Sequence, residues 1–121
     1  MFPSHDHTAG NVTITSEGGS ATMQLQQGVA KVWCENATDA VTQDSFNVSS
    51  SADTTTGKQT LTFTNNFSNS DHANAIISFD ADGVAYVDGK STSQSRWQNY
   101  DEGGSGFTDA PIEGVIHGDL A

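Results

Sequence analysis

The chain has 121 residues, 34% of them hydrophobic and only 16% charged, and four Lys or Arg against fifteen Asp or Glu give a formal charge of −11. That length fits one domain, which buries roughly two-thirds of the surface its unfolded form exposes. With only Lys31, Lys58, Lys90 and Arg96 as cations, the composition argues against nucleic acid or an anionic membrane as partner, because both are bound by clustered Lys and Arg.

The balance of the chain is Ser, Thr, Asn, Gln and Gly, and the straight-chain residues that favour helices are scarce. Period-two alternation in short runs, broken by Gly, Asn, Asp and Ser about every ten residues, predicts an all-β fold. The expected architecture is a small antiparallel β-sandwich, jelly-roll-like, with no helix longer than a turn.

Residues 1–28 differ from the rest. They carry no aromatic after Phe2 and few large apolar residues, although Val12 and Ile14, then Met23 and Leu25, alternate with polar neighbours. Such a segment cannot form a core alone, so it reads as an extended N-terminal arm that anchors on another chain. Within it, His5 and His7 flank Asp6. On an extended strand both imidazoles point to one side, and three copies around a threefold axis would offer six nitrogens to an octahedral transition metal. The simpler reading is a pair of solvated histidines. Residues 1–10 lack the basic start and apolar centre of a secretory signal, and no run approaches the ~20 apolar residues of a membrane helix.

Residues 29–121 read as the β-sandwich domain. In 29–34, Val32 and Cys34 face one way and Lys31 and Trp33 the other. Cys34 reads as a small buried hydrophobe, and a lone cysteine excludes an internal disulfide or a multi-thiolate zinc site. Phe46 and Val48 mark one half-buried strand over 45–49, followed by a polar turn over 50–57. Leu61 and Phe63 alternate with threonines. Residues 65–74 form the longest polar connection, interrupted by Phe67. The apolar run 75–79 predicts a central strand covered on both faces, joined by a tight turn at 80–83 to a hairpin partner at 84–87. In 91–100, Trp97 lies on one face and Arg96 and Tyr100 on the other. A Gly-rich loop over 101–106 precedes a closing strand at 112–116.

Signals for catalysis are weak. There is no Gly-x-Ser-x-Gly elbow and no HExxH. Asp71 with His72, and His117 with Asp119, are the only pairs resembling an oriented base, and Asp101 and Glu102 sit in a glycine-rich loop without a desolvating pocket. The chain therefore reads as a non-enzyme that requires no cofactor. Asp80, Asp82 and Asp88 cluster around the expected hairpin as a candidate calcium site, against the simpler reading that Asp and Gly make turns. Trp97 and Tyr100, with Tyr86 and Phe107 nearby, are candidate glycan contacts, although most aromatics are needed for the core. The sequons at Asn11, Asn36, Asn47 and Asn66 are those expected by chance in so polar a chain.

One resemblance goes beyond periodicity. The run Ala30-Lys31-Val32-Trp33, then Asn36-Ala37-Thr38, then Ser45-Phe46-Asn47-Val48-Ser49-Ser50, resembles the signature of a β-domain in tail fibres and related virion proteins of marine phages. It continues through Gly57, Thr60, Leu61, Thr62, Phe63, Thr64 and Phe67, and closes with Val115-Ile116-His117-Gly118-Asp119-Leu120-Ala121. The resemblance implies a homotrimeric domain at the virion periphery, usually ending a longer fibre protein. Here only some 28 residues precede the domain, and the Met-Pro element of the family is missing after Phe63. The expected role is a virion structural protein, a tail fibre or tail-tip component held to other virion proteins by its arm and in reach of host-surface glycans. A capsid decoration or head-fibre protein is the near alternative, and a carbohydrate-binding module the alternative of another class.

Overall fold

The computed structural model describes residues 13–15, 22–24, 28–104 and 106–121, the first two stretches by their backbone. Among these the chain is all-β. The strands are β1 (Thr13–Thr15), β2 (Thr22–Gln24), β3 (Val32–Asn36), β4 (Thr42–Phe46), β5 (Val48–Thr55), β6 (Lys58–Phe63), β7 (Ala73–Ser78), β8 (Gly83–Lys90), β9 (Gln94–Asp101), β10 (Gly106–Phe107) and β11 (Ile112–His117). Strands β1 and β2 pair with each other, Ile14 opposite Met23. The rest form two antiparallel sheets, one in the order β4-β3-β11-β7 and the other built on β9. Strand β8 pairs along β9 from Gly83 to Lys90. On the other side of β9 lie first β6, itself paired to β5, and then β10, which takes over at Tyr100 and Asp101.

The two sheets meet across a core of Val32, Cys34, Leu61, Phe63, Phe67, Trp97, Ile112 and Ile116, with Val48, Ile76, Ala85 and Val87 packed against it. This is the arrangement of a β-sandwich. Alternation explains the membership: β3 buries Val32, Cys34 and Asn36 and exposes Trp33 and Glu35, while β6 buries Gln59, Leu61 and Phe63. Cys34 behaves as a buried small residue, and burial pushes its thiol up to about 11.

Trp97 is fully buried and reaches the opposite sheet at Gly114, where an added Cβ would lie 3.0 Å from the indole, 2.9 Å from the Ala75 carbonyl oxygen and 2.5 Å from Ile76. Its indole N–H donates to Asn74 Oδ1 at 3.1 Å and Ser95 Oγ at 3.0 Å. A second polar bridge joins the sheets. Asn36 donates to Ser51 Oγ at 2.8 Å and Gln59 Oε1 at 3.0 Å, and Gln59 donates onward to the Ala110 carbonyl at 3.0 Å. These buried amides are satisfied within the fold, as burial requires.

Three expectations need correction. The stretch 45–49 is two strands, because Asn47 adopts φ +59° and turns the chain from one sheet to the other. Its amide fixes the corner by donating to the Lys31 and Asn65 carbonyls, both at 3.1 Å, while Oδ1 accepts from Asn65 N–H at 2.7 Å. Phe46 therefore points out of one sheet and Val48 into the core from the other. Next, 50–57 is mostly strand: β5 runs to Thr55 and turns at Gly57, φ +72°, into β6. A run of Ser, Thr and Asp hides a strand whose outer face has no apolar partner.

The third correction concerns 75–79 and 84–87. They form no hairpin; β7 is the edge of the four-stranded sheet beside β11, and β8 belongs to the other sheet. The turn at 80–82 is real, with Gly83 N–H donating to the Asp80 carbonyl at 3.1 Å, but it carries the chain between sheets. Nor is β7 covered on both faces. Ile76 points inward, whereas Ile77 and Phe79 are 57% and 58% exposed. A continuous apolar run does not distinguish a face buried in the domain from one left open to a partner.

The fit of Trp97 over Gly114 sets a prediction. Gly114→Ala should lower stability by about 2 kcal/mol through overpacking, measured as the midpoint of urea unfolding, with weakened near-ultraviolet dichroism. An unchanged midpoint would show that the sheets separate there at no cost.

Candidate functional site

The most distinctive surface is the outer face of the four-stranded sheet. The strand registers place Phe46, Trp33, Val115 and Ala75 opposite one another as one row across all four strands. The next row on the same face is Asp44, Glu35, Glu113 and Ile77. Phe46 is 54% exposed and Trp33 38%. Between the rows lies an open hollow of about 590 Å³ lined by Trp33, Glu35, Ile77, Glu113 and Val115 among others. An apolar stripe four strands wide thus borders three carboxylates set directly opposite one another.

Like charges in directly opposed positions destabilise a sheet, by about 0.2–1 kcal/mol per pair. Nothing among the described residues offsets this with an ion pair: the two ion pairs found there both belong to Asp88. The backbone explains the exposure. On β3 and β11 the inward positions are taken by Val32, Cys34, Ile112 and Ile116, so strict alternation turns Trp33, Glu35, Glu113 and Val115 outward.

The outer face of the five-stranded sheet is different. Val84, Tyr100 and Phe107 form one row, and Tyr86, Gln98 and Lys58 the next. Tyr100 and Phe107 meet edge to face at 5.6 Å, and Lys58 Nζ lies 5.3 Å over the Phe107 ring. Arg96 pairs closely with Asp88, and Lys58 approaches the same carboxylate at 3.8 Å. Charge on this face is compensated locally.

The residues singled out from sequence are scattered by the fold. Tyr100 is partly exposed beside Tyr86 and Phe107, but Trp97 is completely buried and cannot touch a glycan. The same alternation that exposes Tyr100 turns Trp97 into the core. Asp88 is engaged by Arg96 and Lys58, and Asp80 accepts from Asn99 Nδ2 at 3.4 Å. The carbonyl of Asp82 accepts from Glu102 N–H at 3.1 Å. Among the described residues, the carboxylates that do converge, within 4.8 Å, are Asp39, Asp53 and Asp109, all exposed. One of them, Asp109, already accepts the Gly57 N–H at 2.5 Å. His5 and His7 lie outside the described residues.

His72 is built into the fold. Its ring is buried, stacked on Phe67 at 4.5 Å, with Nδ1 3.1 Å from Asn74 Nδ2 and Nε2 3.1 Å from the Ser91 carbonyl. Because Asn74 Oδ1 accepts from Trp97 and Ser95, its amide must donate to Nδ1, which leaves the His72 proton on Nε2. Burial holds the ring's pKa below its ordinary value, the nearby Lys90 acting in the same direction and the Ser91 carbonyl against it.

The outer face of the four-stranded sheet was missed because its rows exist only once strands are in register. Its signal in sequence is the pairing of a large apolar residue with an acid two positions away in three strands: Trp33 with Glu35, Asp44 with Phe46, and Glu113 with Val115. Compared with models of protein families, with curated proteins and with solved structures, the chain matches none. No helix among the described residues is long and apolar enough to cross a membrane.

The state of His72 makes stability pH-dependent. Its neutral form is favoured in the folded chain, so this contribution is complete above the unfolded value of about 6.5. As pH falls below that value the unfolded chain takes up the proton first and stability declines until the folded ring titrates. Between about pH 7.5 and about pH 5 the thermal midpoint should therefore fall more steeply for the wild type than for His72→Gln. Equal slopes would remove His72 as the cause.

Proposed function

We propose that this chain is a phage virion structural protein, a small homotrimeric β-domain displayed on the particle as a tail-fibre or tail-tip component and anchored by its N-terminal arm. The observation that carries this reading is the open apolar row of Phe46, Trp33, Val115 and Ala75 across the four-stranded sheet. A contiguous exposed apolar surface of this kind marks an interaction site. It suits a protein that works by assembly rather than by catalysis. The resemblance of residues 29–121 to virion appendage domains supplies the setting. The acidic, hydroxyl-rich surface supports it, since at about 1 M salt charges are screened beyond roughly 3 Å and self-repulsion costs little.

Light scattering of the purified chain should give three times its 12.7 kDa mass, and particles from infected cells should contain it on the tail when labelled with a specific antibody. Label on the capsid would move the protein to the decoration or head-fibre alternative. A monomer at high concentration that is missing from particles would end the reading.

A second reading, carbohydrate binding, is favoured by the exposed Tyr86 and Tyr100 beside Arg96 and Asp88 on the other sheet, because aromatic faces next to polar groups stack on sugar rings. On a glycan array this reading expects a signal for the wild type that falls at least about tenfold in Tyr100→Ala, the size of a lost aromatic contact. Silence on every glycan would sink it.

A further inference from the structure

We propose that the outer face of the four-stranded sheet docks a basic protein other than a second copy of this chain. That partner lays apolar side chains along Phe46, Trp33, Val115 and Ala75 and sets Lys or Arg over Asp44, Glu35 and Glu113. The proposal rests on that part of the reading above in which the chain is held to other virion proteins, leaves the threefold contact to other surfaces, and names the chemistry of the partner.

Charge complementarity decides between the occupants. The face brings three opposed carboxylates to the interface, so covering it with an apolar surface alone would strip water from charges left unpaired, which is expensive. The occupant must therefore bring cations. A second copy has few to bring. Of the four cations in the chain, Lys31 is buried and donates to the Val29 carbonyl at 2.7 Å. Lys58 and Arg96 share Asp88, and Lys90 donates to the His72 carbonyl at 2.8 Å. Two such faces set against each other would oppose carboxylate rows. The acidic row of this face fits its complement in a basic protein and disfavours the same face of a second copy.

Spacing defines the partner further. Same-face positions along a strand recur every ~6.8 Å, which is the distance between the apolar row and the acidic row. A partner strand running along β3 and β11 meets both rows when apolar and basic residues alternate at its inward positions. The carboxylates then act as selectors: they favour Lys and Arg at the second inward position and reject Asp and Glu there.

Trp33 is the reporter. It is partly exposed at the centre of the face, while Trp97, the other tryptophan of the chain, is fully buried. The probe is a synthetic peptide of repeating Leu-Thr-Lys-Thr, titrated into the full chain and followed by tryptophan emission. Expected are a saturable blue shift that is absent in Trp33→Phe, and an affinity that falls at least about tenfold in the double variant Glu35→Lys with Glu113→Lys, or at about 0.5 M salt. Circular dichroism and the emission of Trp97 report that each variant is folded. No shift with this peptide, or an equal one with Leu-Thr-Glu-Thr, would falsify the proposal. A blue shift that grows with the concentration of the chain alone would also overturn it, assigning the face to a second copy while leaving the assembly reading intact. Absence of the protein from particles, by contrast, touches the virion reading and not this titration.

Discussion

The packing of Trp97 against Gly114 fixes the distance between the two sheets. An aromatic side chain of this kind removes about 200 Å² from water, worth of order 5 kcal/mol by area, and it does so only if the facing strand yields space and the indole N–H finds an acceptor. The glycine supplies the first and Asn74 with Ser95 the second. Asn74 then turns its amide NH2, a donor only, toward His72 Nδ1, which sets the tautomer of His72. His72 in turn stacks on Phe67, and Phe67 bridges to Leu120 near the end of the chain. One side chain therefore organises the inner faces, the long connection after β6 and the closing segment.

With the inner faces committed in this way, everything on the outer faces follows from alternation. Most strand positions that point away from Trp97 point to solvent, whatever their polarity; Gln98, covered in its row between Tyr86 and Lys58, is an exception. This accounts for the exposure of Trp33, Phe46, Ile77 and Phe79 without any failure of burial: the core is already full. Corners do the remaining work. At Asn47 the left-handed backbone and four hydrogen bonds of the side-chain amide send the chain from one sheet to the other between Phe46 and Val48. Two large apolar neighbours of one residue thus end on opposite sides of the molecule.

These particulars explain what could be read from sequence. The all-β class and the inward faces of β3 and β6 were legible because alternation of Val32 with Trp33 and of Leu61 with Thr62 is a local property. The corner at Asn47 and the crossing after Phe79 were not, because a left-handed residue and a tight hairpin share the same Asn, Asp and Gly chemistry. The acidic row was invisible for another reason. Asp44, Glu35 and Glu113 are distant in sequence and become neighbours only through pairing. Trp97 shows another error: its polar neighbours made it look like a glycan contact beside Tyr100, although alternation sets the two on opposite faces of β9 and Trp97 is the buried one.

The two outer faces now carry different physical signatures. On the five-stranded sheet the cations Lys58 and Arg96 flank Asp88, so charge closes on itself and the surface is content in water. On the four-stranded sheet the carboxylates oppose one another and the neighbouring row is apolar. Neither feature helps the isolated domain, since opposed acids weaken the strand pairing and an apolar stripe exposed to water contributes nothing to the core. The two features have different remedies. Apolar contact relieves the stripe alone, and salt relieves the acids alone. A surface that brings both aliphatic groups and cations would relieve the two together, and this is the physical ground for proposing the face as half of an interface.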